Sequence, residues 1–290
     1  MIRLPFKLHD SDVVFIWFAD YHAFITTFFT KIIRKPIMIV TGGYDVAGEK
    51  EVYYGLMCHP FFKRMVKYVL KHASKILPVS EFNKREIEKH LKTEKMEVIY
   101  NAIDENYFVP GEKKEDIVLT VAVIDNRHRA RVKGLDIFIR VSKFLPNVNF
   151  LAIGIQGKAL KEFQSKKPPN VTLIEYVSQN ELLRYYQKAK VYCQLSYYEA
   201  CGVALEEAMS CECMPVVTNR GALPEVVGDT GLCVNYGEID GTIDAIRKAL
   251  NDDKNGNKAR RRVIENFSLR EREKKLKDAI INTVKTFQYE

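Results

Sequence analysis

Residues 171–218 read VTLIEYVSQNELLRYYQKAKVYCQLSYYEACGVALEEAMSCECMPVVT and decide the fold class. Three short runs rich in β-branched and aromatic residues, VTLIEYV, KVYCQL and MPVVT, are separated by segments in which apolar residues recur with helical spacing. Strands that are apolar throughout and alternate with helices are typical of parallel sheets covered on both faces. The stretch therefore predicts consecutive right-handed βαβ units.

Similar strand-like runs occur along the rest of the chain. They are DVVFIWF (12–18), PIMIVT (36–41), KILPV (75–79), EVIY (97–100), IVLTVAVI (117–124) and VNFLAIG (148–154). The turn-rich stretch 101–116, NAIDENYFVPGEKKED, interrupts the pattern, because Pro110 and Gly111 stop regular structure there. This stretch is the best candidate for a domain boundary.

We therefore predict an α/β protein with two Rossmann-like parallel-sheet domains that face each other across a cleft. The predicted domains are residues 1–108 and 109–268, and a C-terminal helix over 269–290 crosses back to the first domain. In open α/β sheets, ligands bind at the carboxyl ends of the strands. The loops expected to carry the chemistry are those that follow Ile124, Gly154, Val177, Leu195 and Thr218.

Composition limits the class of protein. The chain has 290 residues, of which 47% are hydrophobic and 28% charged, so it can bury the core of one or two domains. The apolar region 13–29 is interrupted by Asp20 and His22, whereas a membrane span needs about 20 mostly apolar residues. The first residues lack the pattern of a signal peptide. We expect a cytoplasmic protein.

The six cysteines lie mostly within apolar runs and form no CxxC pair, so we expect free buried thiols and no metal site. The net charge of +8 suits nucleic acid, an anionic membrane surface or a phosphorylated small molecule. No RNA-binding signature, zinc finger or long block of like charges is present, so nucleic acid is the weakest of the three partners.

The glutamates of EACGVALEEAMS (199–210) have two interpretations: the solvated face of a surface helix, or carboxylates that hold the hydroxyls of a ligand. At helical spacing, Ala204, Leu205, Ala208 and Met209 form an apolar stripe. Glu206 and Ser210 point away from the stripe and are expected in solvent, whereas Glu207 flanks it and is the candidate ligand-binding residue. Glu199 precedes the helix, at the carboxyl end of a strand.

The spacing of Glu199 and Glu207 favours one elongated ligand. A helical rise would separate them by about 12 Å, whereas the paired carboxylates of glycoside hydrolysis stand ~5 to 9.5 Å apart. Between them, the N–H groups of Gly202, Val203 and Ala204 form a helix N-terminus, which suits a phosphate.

These residues, with several further motifs, resemble the retaining glycosyltransferases of family four, which have the GT-B fold. The matching segments are LSYYEACGVALEEAMSCECMPVV (195–217), RGALPEVVGDTGL (220–232), KGLDIFIRVSKFLPNVNFLAIG (133–154), VSEFNKREI (79–87), VIYNAIDENYF (98–108) and DYHA (20–23). The resemblance spans about residues 12–288 in the family's order.

The resemblance implies roles for residues of the second domain. Glu199 would contact the donor sugar hydroxyls, Glu207 the ribose, and Lys133 the diphosphate. Arginines 127, 129 and 131 lie in a stretch expected to be a long loop, and Arg131 is the favoured partner of that lysine. Val177 joins the donor-binding set. From residue type alone, Lys133 could equally be a solvated lysine at a helix start.

The first domain contributes His22 as the second catalytic candidate, although a lone histidine in an aromatic segment is more often a core residue. Gly42, Gly43 and Asp45 directly follow a strand and are expected to form a turn beside the cleft; a plain β-to-α turn is the alternative. Only eleven residues precede Asp12, whereas the family has a Gly-rich unit there, so we expect a shortened N-terminal domain.

The expected function is transfer of a hexose from a nucleoside diphosphate sugar to a hydroxyl acceptor, such as a sugar or a lipid-linked acceptor, with retention and without a metal or other cofactor. A catalytically impaired nucleotide-sugar-binding or regulatory subunit is the alternative. Aromatic and basic residues in FFTKIIRKP (28–36) and HPFFKRMVKYVLKHASK (59–75) also fit a peripheral protein at the inner membrane face.

Overall fold

The computed structural model describes residue 8, residues 10–252 and residues 255–288. The chain divides into an N-terminal unit, Met1–Asn101 with Arg270–Glu290, and a C-terminal unit, Ala102–Leu269. The sequence placed this boundary at 108. It falls earlier because Ile103 donates its N–H to the carbonyl of Phe267 at 3.1 Å and forms a parallel bridge with Ser268.

The N-terminal unit contains a three-stranded parallel sheet in the order β1-β2-β3. The strands are β1 (Val14–Trp17), β2 (Ile37–Thr41) and β3 (Lys75–Pro78). The helices are α1 (Tyr21–Ile32), α2 (Pro60–His72) and α3 (Glu81–Glu88), with a 3₁₀ turn at Leu56–Cys58. The run at 97–100 was predicted as a strand, which is wrong: Glu97 and Ile99 donate their N–H groups to the carbonyls of Ile76 and Pro78, but the pairing amounts to no more than an isolated bridge from Met96 to Ile76.

Helix α2 has the apolar stripe that its sequence predicts. Met65, Val66, Val69 and Leu70 are buried in the core of the N-terminal unit, and Phe62 packs against it. The lysines at 63, 67 and 71 repeat every four residues; 67 and 71 are exposed and 63 is half-buried. The helix is therefore held by its apolar face, and its basic face is available to solvent.

The C-terminal unit contains a six-stranded parallel sheet in the order β6-β5-β4-β7-β8-β9. The strands are β4 (Glu115–Ile124), β5 (Asn149–Ile155), β6 (Val171–Ile174), β7 (Ala189–Gln194), β8 (Met214–Thr218) and β9 (Leu232–Val234). Strand β9 was not predicted, because three residues are too few to show a period. The chain order reverses between β4 and β7, which are neighbours, and such a point is where ligands bind in open α/β sheets.

Helices connect these strands. They are α4 (Arg127–Lys133), α5 (Leu135–Ser142), α6 (Gly157–Gln164), α7 (Gln179–Lys188), α8 (Val203–Ser210), α9 (Leu223–Val227), α10 (Ile239–Leu250) and α11 (Asn255–Asn266). Helix α12 (Leu269–Gln288) follows, and from Arg270 onward it belongs to the N-terminal unit. Fully buried Phe138, Phe150, Val191 and Val216 lie in the core of the C-terminal sheet.

The segment 125–134 was predicted as a long loop, which is wrong because most of it is helix α4. The side chain of Asn126 caps the helix by accepting the N–H of Arg129 at 2.9 Å. Gly134 ends it in the left-handed conformation, with φ of 72°. A Cβ there would stand 2.0 Å from the carbonyl oxygen of Leu195, so the end of α4 lies directly against the end of β7.

The six cysteines are free thiols. Cys193, Cys201, Cys211 and Cys213 are buried as expected, but Cys233 is exposed and Cys58 half-buried, so the expectation of burial is wrong for Cys233 and only partly met for Cys58. Cys233 lies on the short edge strand β9, which pairs with β8 alone. Among the described residues, no helix combines the length and the apolar character needed to cross a membrane.

Candidate functional site

The switch point of the C-terminal sheet brings two of the predicted catalytic residues together. Lys133 is the last residue of α4, which follows β4, and Glu199 lies in the loop after β7. The Nζ of Lys133 is 2.7 Å from Oε2 of Glu199, and the two side chains are 24% and 16% exposed. The alternative of a solvated lysine at a helix start is wrong: the ammonium is half-buried at a helix end and paired with a carboxylate.

Two residues that the sequence analysis missed fix the position of Glu199. The amide of Gln194 donates to the same carboxylate oxygen of Glu199 at 3.0 Å, and the hydroxyl of Tyr192 donates to Oε1 of Gln194 at 2.9 Å. Burial raises the pKa of Tyr192, and the carboxylates of Glu207 and Glu199 raise it further, so the phenol stays a donor. A glutamine near the end of an otherwise apolar strand was the signal available in the sequence.

Glycine also shapes the loop of Glu199. Gly221, in the loop after β8, has φ of 62°, and a Cβ there would stand 2.2 Å from the carbonyl oxygen of Glu199. Ala222 donates its N–H to that carbonyl at 2.8 Å. The loops after β7 and β8 are therefore joined by a backbone hydrogen bond. The side chain of Glu199 takes no part in it and instead accepts hydrogen bonds from Lys133 and Gln194.

Helix α8 begins beside this pair. Its first turn has Gly202 at the N-cap with φ of 110°, and no side chain caps it. Leu205 and Glu206 donate to the carbonyl of Gly202, which closes the first turn. The N–H groups of the first turn, at Gly202, Val203 and Ala204, are where the sequence predicted a phosphate, and this end of the helix carries partial positive charge.

The expectation that Glu206 and Ser210 face solvent is wrong, because both are fully buried. The hydroxyl of Ser210 donates to the carbonyl of Phe108 at 2.6 Å, and the guanidinium of Arg260 in α11 lies 3.1 Å from it. The thiol of Cys201 donates to Glu206 at 3.0 Å. Helix α11 and the segment around 108 thus cover the side of α8 that its own periodicity assigns to water.

The accessible side of α8 carries Val203, Ala204 and Glu207, which lie on one face at helical spacing. The hydroxyl of Tyr186, on α7, donates to Oε2 of Glu207 at 2.9 Å. Burial raises the pKa of Glu207 to about 7, and the hydrogen bond from Tyr186 opposes the rise. A half-buried carboxyl whose pKa lies near neutrality, on the accessible face of a helix, is a candidate for ligand binding.

Among the three arginines of α4, Arg127 lies 3.7 Å from Glu162 and Arg129 lies 3.7 Å from Asp125. Arg131 is exposed and forms no ion pair with any described residue, which leaves its guanidinium available to a ligand. Val177 is half-buried in the loop after β6, next to the capping box that starts α7.

An aromatic cluster that the sequence analysis missed adjoins α4. The hydroxyl of Tyr236 donates to the carbonyl of Arg131 at 2.8 Å, and the rings of Tyr236 and Tyr197 meet edge to face at 5.1 Å. The guanidinium of Arg220, which follows β8, stacks over Tyr197 at 4.5 Å from the ring centroid. The cluster holds a second cation at the carboxyl edge of this sheet.

In the N-terminal unit, His22 lies in the first turn of α1. Its side chain is 86% exposed, and Nδ1 is 3.6 Å from Asp20, the residue that caps the helix. The alternative of a core histidine is therefore wrong. The ring is presented to solvent just beyond the carboxyl end of β1.

Asp45 has a structural role that its sequence context did not reveal. Its buried carboxylate accepts the N–H of Ala19 at 2.8 Å, of Gly42 at 3.1 Å and of Gly43 at 2.8 Å. Burial raises its pKa, and these backbone hydrogen bonds oppose the rise. The loop after β1 and the loop after β2 are thus joined through one side chain. A Cβ at Gly42 would stand 2.1 Å from the ring of Phe18, so the glycine is needed for this approach.

Across the described ranges, no group of three or more histidine, cysteine, aspartate or glutamate side chains is placed to hold a metal ion. The positive charge next to Glu199 is that of Lys133.

Comparison with known proteins places this arrangement in a family. The model of the family described as "Glycosyl transferases group 1" matches residues 103–269. The chain is 36% identical over 83 residues to O-antigen chain mannosyltransferase B of Escherichia coli, covering 29% of this chain and 22% of that protein. It is 25% identical over 235 residues to a component of phosphatidylinositol N-acetylglucosaminyltransferase from Arabidopsis thaliana, covering 77% of this chain and 52% of that protein. The matches thus span about half or less of the length of these relatives.

The fold agrees. The crystal structure of Anabaena Alr3699/HepE in complex with UDP has a TM-score of 0.82 and 16% identity, covering 97% of this chain and 81% of that one. The solved structures similar to this chain are GT-B glycosyltransferases, which confirms the predicted α/β fold class with parallel sheets. The family match covers more than half of the chain. The chain belongs to the glycosyl transferases group 1 family.

Proposed function

We propose that this protein transfers a hexosyl group from a nucleoside diphosphate sugar to a hydroxyl acceptor, with retention of configuration and without a metal ion. The observation that carries the proposal is the Lys133–Glu199 pair at the switch point, 2.7 Å apart and beside the uncapped N-terminus of α8. A fixed cation and backbone N–H groups at one edge of a sheet suit a diphosphate.

The reaction needs this placement of charge. When the bond from sugar C1 to the diphosphate oxygen breaks, the electron pair goes to the diphosphate, while the acceptor oxygen bonds to C1 and releases its proton. Negative charge grows on the leaving group, so Lys133, Arg131 and the first turn of α8 stabilise the transition state more than the ground state. Retention is carried over from the resemblance to family four.

The donor is held at its two ends by Glu199 and Glu207. Glu199 binds donor sugar hydroxyls, and its position is fixed by Gln194 at 3.0 Å. Glu207 binds the ribose hydroxyls from the accessible face of α8. Val177, after β6, borders the base. The HepE structure contains UDP, which supports a uridine nucleotide as the first donor to test.

The N-terminal unit supplies the acceptor side. At the carboxyl edge of its sheet, His22 stands with exposed aromatic rings: Trp17 is 47%, Phe18 47%, Tyr21 52% and Tyr44 53% exposed. Flat apolar rings beside a polar group suit a sugar, which has apolar ring faces and a polar rim. The loop of Gly42, Gly43 and Asp45 sets the shape of this edge.

The alternative is a catalytically impaired protein that binds a nucleotide sugar. To distinguish the two, UDP-, GDP- and ADP-sugars are screened by thermal shift and by slow hydrolysis of the donor, with and without EDTA. A thermal shift with hydrolysis that survives EDTA supports the transferase; a shift without hydrolysis or transfer supports the binding protein; loss on chelation that magnesium restores contradicts the charge assignment. No shift with any sugar nucleotide contradicts both proposals.

We also propose that the basic face of α2 rests on an anionic membrane surface, which would bring the protein to a lipid-linked acceptor. The exposed lysines at 67 and 71, with half-buried Lys63, support this orientation. Each base near such a surface contributes about 1 kcal/mol, which salt screens. Binding to anionic vesicles should rise at low salt and disappear when the three lysines are changed to glutamate. Equal binding of wild type and variant contradicts this orientation.

A further inference from the structure

A cavity of about 680 Å³ opens in the N-terminal unit at the edge of the sheet opposite to His22. Its lining includes Ile37, at the start of β2, and Ser74, directly before β3. In a parallel sheet these positions mark the amino edge, where helices α1 and α2 end after running back along the sheet. The cavity is therefore separate from the acceptor edge proposed above.

Its lining is strongly basic. Lys31 and Lys71 come from the last turns of α1 and α2, Arg34 and Lys35 from the turn after α1, and His72 is the last residue of α2. No carboxylate belongs to the described lining. Lysines in a last turn complement the negative end of a helix, which accounts for Lys31 and Lys71. It does not account for the arginine and lysine of the turn.

Arg34 stands at a position that favours glycine. Lys35 donates its N–H to the carbonyl of Thr30 at 2.9 Å, which closes the end of α1, and Arg34 between them has φ of 52°. This left-handed conformation is disfavoured for residues with a Cβ, and glycine is the usual occupant after a helix end of this type. An arginine at this position therefore has a backbone cost that glycine would avoid.

The remaining basic groups nearby are already engaged. Lys75 pairs with Glu97 at 2.7 Å, and Lys95 donates to the carbonyl of Ala73 at 3.3 Å. By contrast, Arg34, Lys35 and Lys71 have no acidic partner among the residues that the structure describes.

The pKa of His72 reflects the positive charge that lines the cavity. Lys31 Nζ lies 3.1 Å from its Nε2, so the neutral ring accepts a hydrogen bond from that lysine. Its pKa is lowered by burial first, and then by the positive charges of Lys31, Lys71 and Lys95. The positive charges of these lysines thus disfavour protonation of His72, and an anion in the cavity would reduce that unfavourable potential.

We propose that this cavity binds a phosphate-bearing ligand, with Lys31, Arg34, Lys35 and Lys71 contacting the phosphate oxygens. A phosphate brings several strong acceptor oxygens and at least one negative charge to a site whose described lining offers donors. A lipid headgroup and a soluble phosphorylated molecule share this chemistry. The site does not depend on the proposed transferase activity, because it lies at the opposite edge of the sheet from His22.

The test uses inorganic pyrophosphate as the probe, by titration calorimetry, in a Lys133→Ala background that weakens competition from the predicted donor site. Binding should fall about tenfold or more in Arg34→Glu/Lys35→Glu. The matched control Lys63→Glu/Lys67→Glu reverses two charges of the same unit that do not line the cavity, and should bind like the parent. Equal losses of affinity in both double variants would overturn the proposal, because general surface charge would then explain the binding. An absence of pyrophosphate binding to the parent protein would overturn it as well.

The Arg34→Gly variant distinguishes an effect on ligand binding from an effect on folding stability. Glycine relieves the left-handed strain, so the melting temperature should hold or rise while pyrophosphate affinity falls. Unchanged affinity in this variant would also overturn the proposal. In the Lys63→Glu/Lys67→Glu variant, which lacks two charges of the proposed membrane face of α2, vesicles rich in phosphatidic acid are compared with phosphatidylcholine vesicles to identify the source. Sedimentation that pyrophosphate competes away indicates a lipid headgroup, whereas pyrophosphate binding without sedimentation indicates a soluble ligand.

Discussion

The carboxyl edges of the two sheets use their carboxylates differently. In the C-terminal unit, Glu199 and Glu207 are held by the side chains of Lys133, Gln194 and Tyr186. In the N-terminal unit, Asp45 is held by three backbone N–H groups. Side-chain partners can turn toward a ligand while the backbone stays in place, whereas backbone partners fix the course of a loop. We infer that the side-chain partners of the first edge can be exchanged for a ligand, whereas the backbone partners of the second edge keep its shape.

Asp45→Ala should give the largest effect, a loss of about 3 to 5 kcal/mol of stability, because three backbone N–H groups lose a charged acceptor in a buried place. Denaturant unfolding measures it. Asp12→Ala, which removes an exposed carboxylate from the same unit, is the control and should change stability little. Nucleotide affinity per folded molecule should not change. A stable Asp45→Ala protein with weakened nucleotide binding would reverse the roles assigned to the two edges.

Lys133→Ala should lower kcat by about 100- to 1000-fold, or about 3 to 4 kcal/mol, because the transition state loses its fixed cation. Stability should fall less than for Asp45→Ala, since Glu199 keeps the amide of Gln194. Donor hydrolysis or transfer measures the rate, and Lys143→Ala, an exposed lysine just after α5, is the control. A large loss of stability with an unchanged kcat would make Lys133 a structural residue.

Glu207→Ala should weaken nucleotide binding by about 1.5 to 3 kcal/mol, as expected for charge-assisted hydrogen bonds to ribose hydroxyls. Calorimetry with UDP measures the affinity. Asp229→Asn changes an exposed carboxyl beyond the end of α9 and should bind normally. Glu206→Ala, by contrast, should reduce stability and leave the affinity of the folded protein unchanged, since Glu206 is buried. Similar affinity losses for both helix glutamates would remove the distinction between them.

The neighbouring glutamates also show how far the sequence can predict the site. Strand runs were enough for the parallel sheets and for placing Glu199 just after a strand, whereas Lys133 was singled out by the family resemblance and lies at the end of α4. The prediction of which side of α8 faces solvent was wrong. That side is determined by α11 and by the chain near residue 108, which are distant from α8 in sequence. Single-helix periodicity contains no information about such a cover.

The other differences between the predictions from sequence and the structure have similar physical causes. The segment at 97–100 has strand composition and donates two backbone hydrogen bonds to β3, but it does not form a regular strand pairing. The role of Asp45 depends on the loop after β1, which lies 26 residues away. The fixed position of Glu199 likewise depends on Gln194, whose only sequence signal is a polar residue in an apolar strand. Elements follow from local pattern, whereas partners of buried polar groups follow from tertiary contacts.

The dependence of stability on the pKa of Glu207 gives the smallest expected effect. It also tests directly whether the hydrogen-bond partners at the carboxyl edge of the C-terminal sheet can be exchanged. Its folded value of about 7 lies above the ordinary value of 4.5. Between these pH values the folded carboxyl keeps its proton while the unfolded one loses it, so stability falls as pH rises through this window, by about 2 kcal/mol for a half-buried group. Glu207→Gln cannot ionise, so its melting temperature relative to wild type should rise from pH 4.5 to pH 7 and then level off. Saturating UDP should reduce this difference, because ribose hydroxyls that donate to the carboxylate favour its ionised form. A constant difference across the pH range would show that Glu207 is already ionised and that its partner on α7 is fixed, as the partners of Asp45 are.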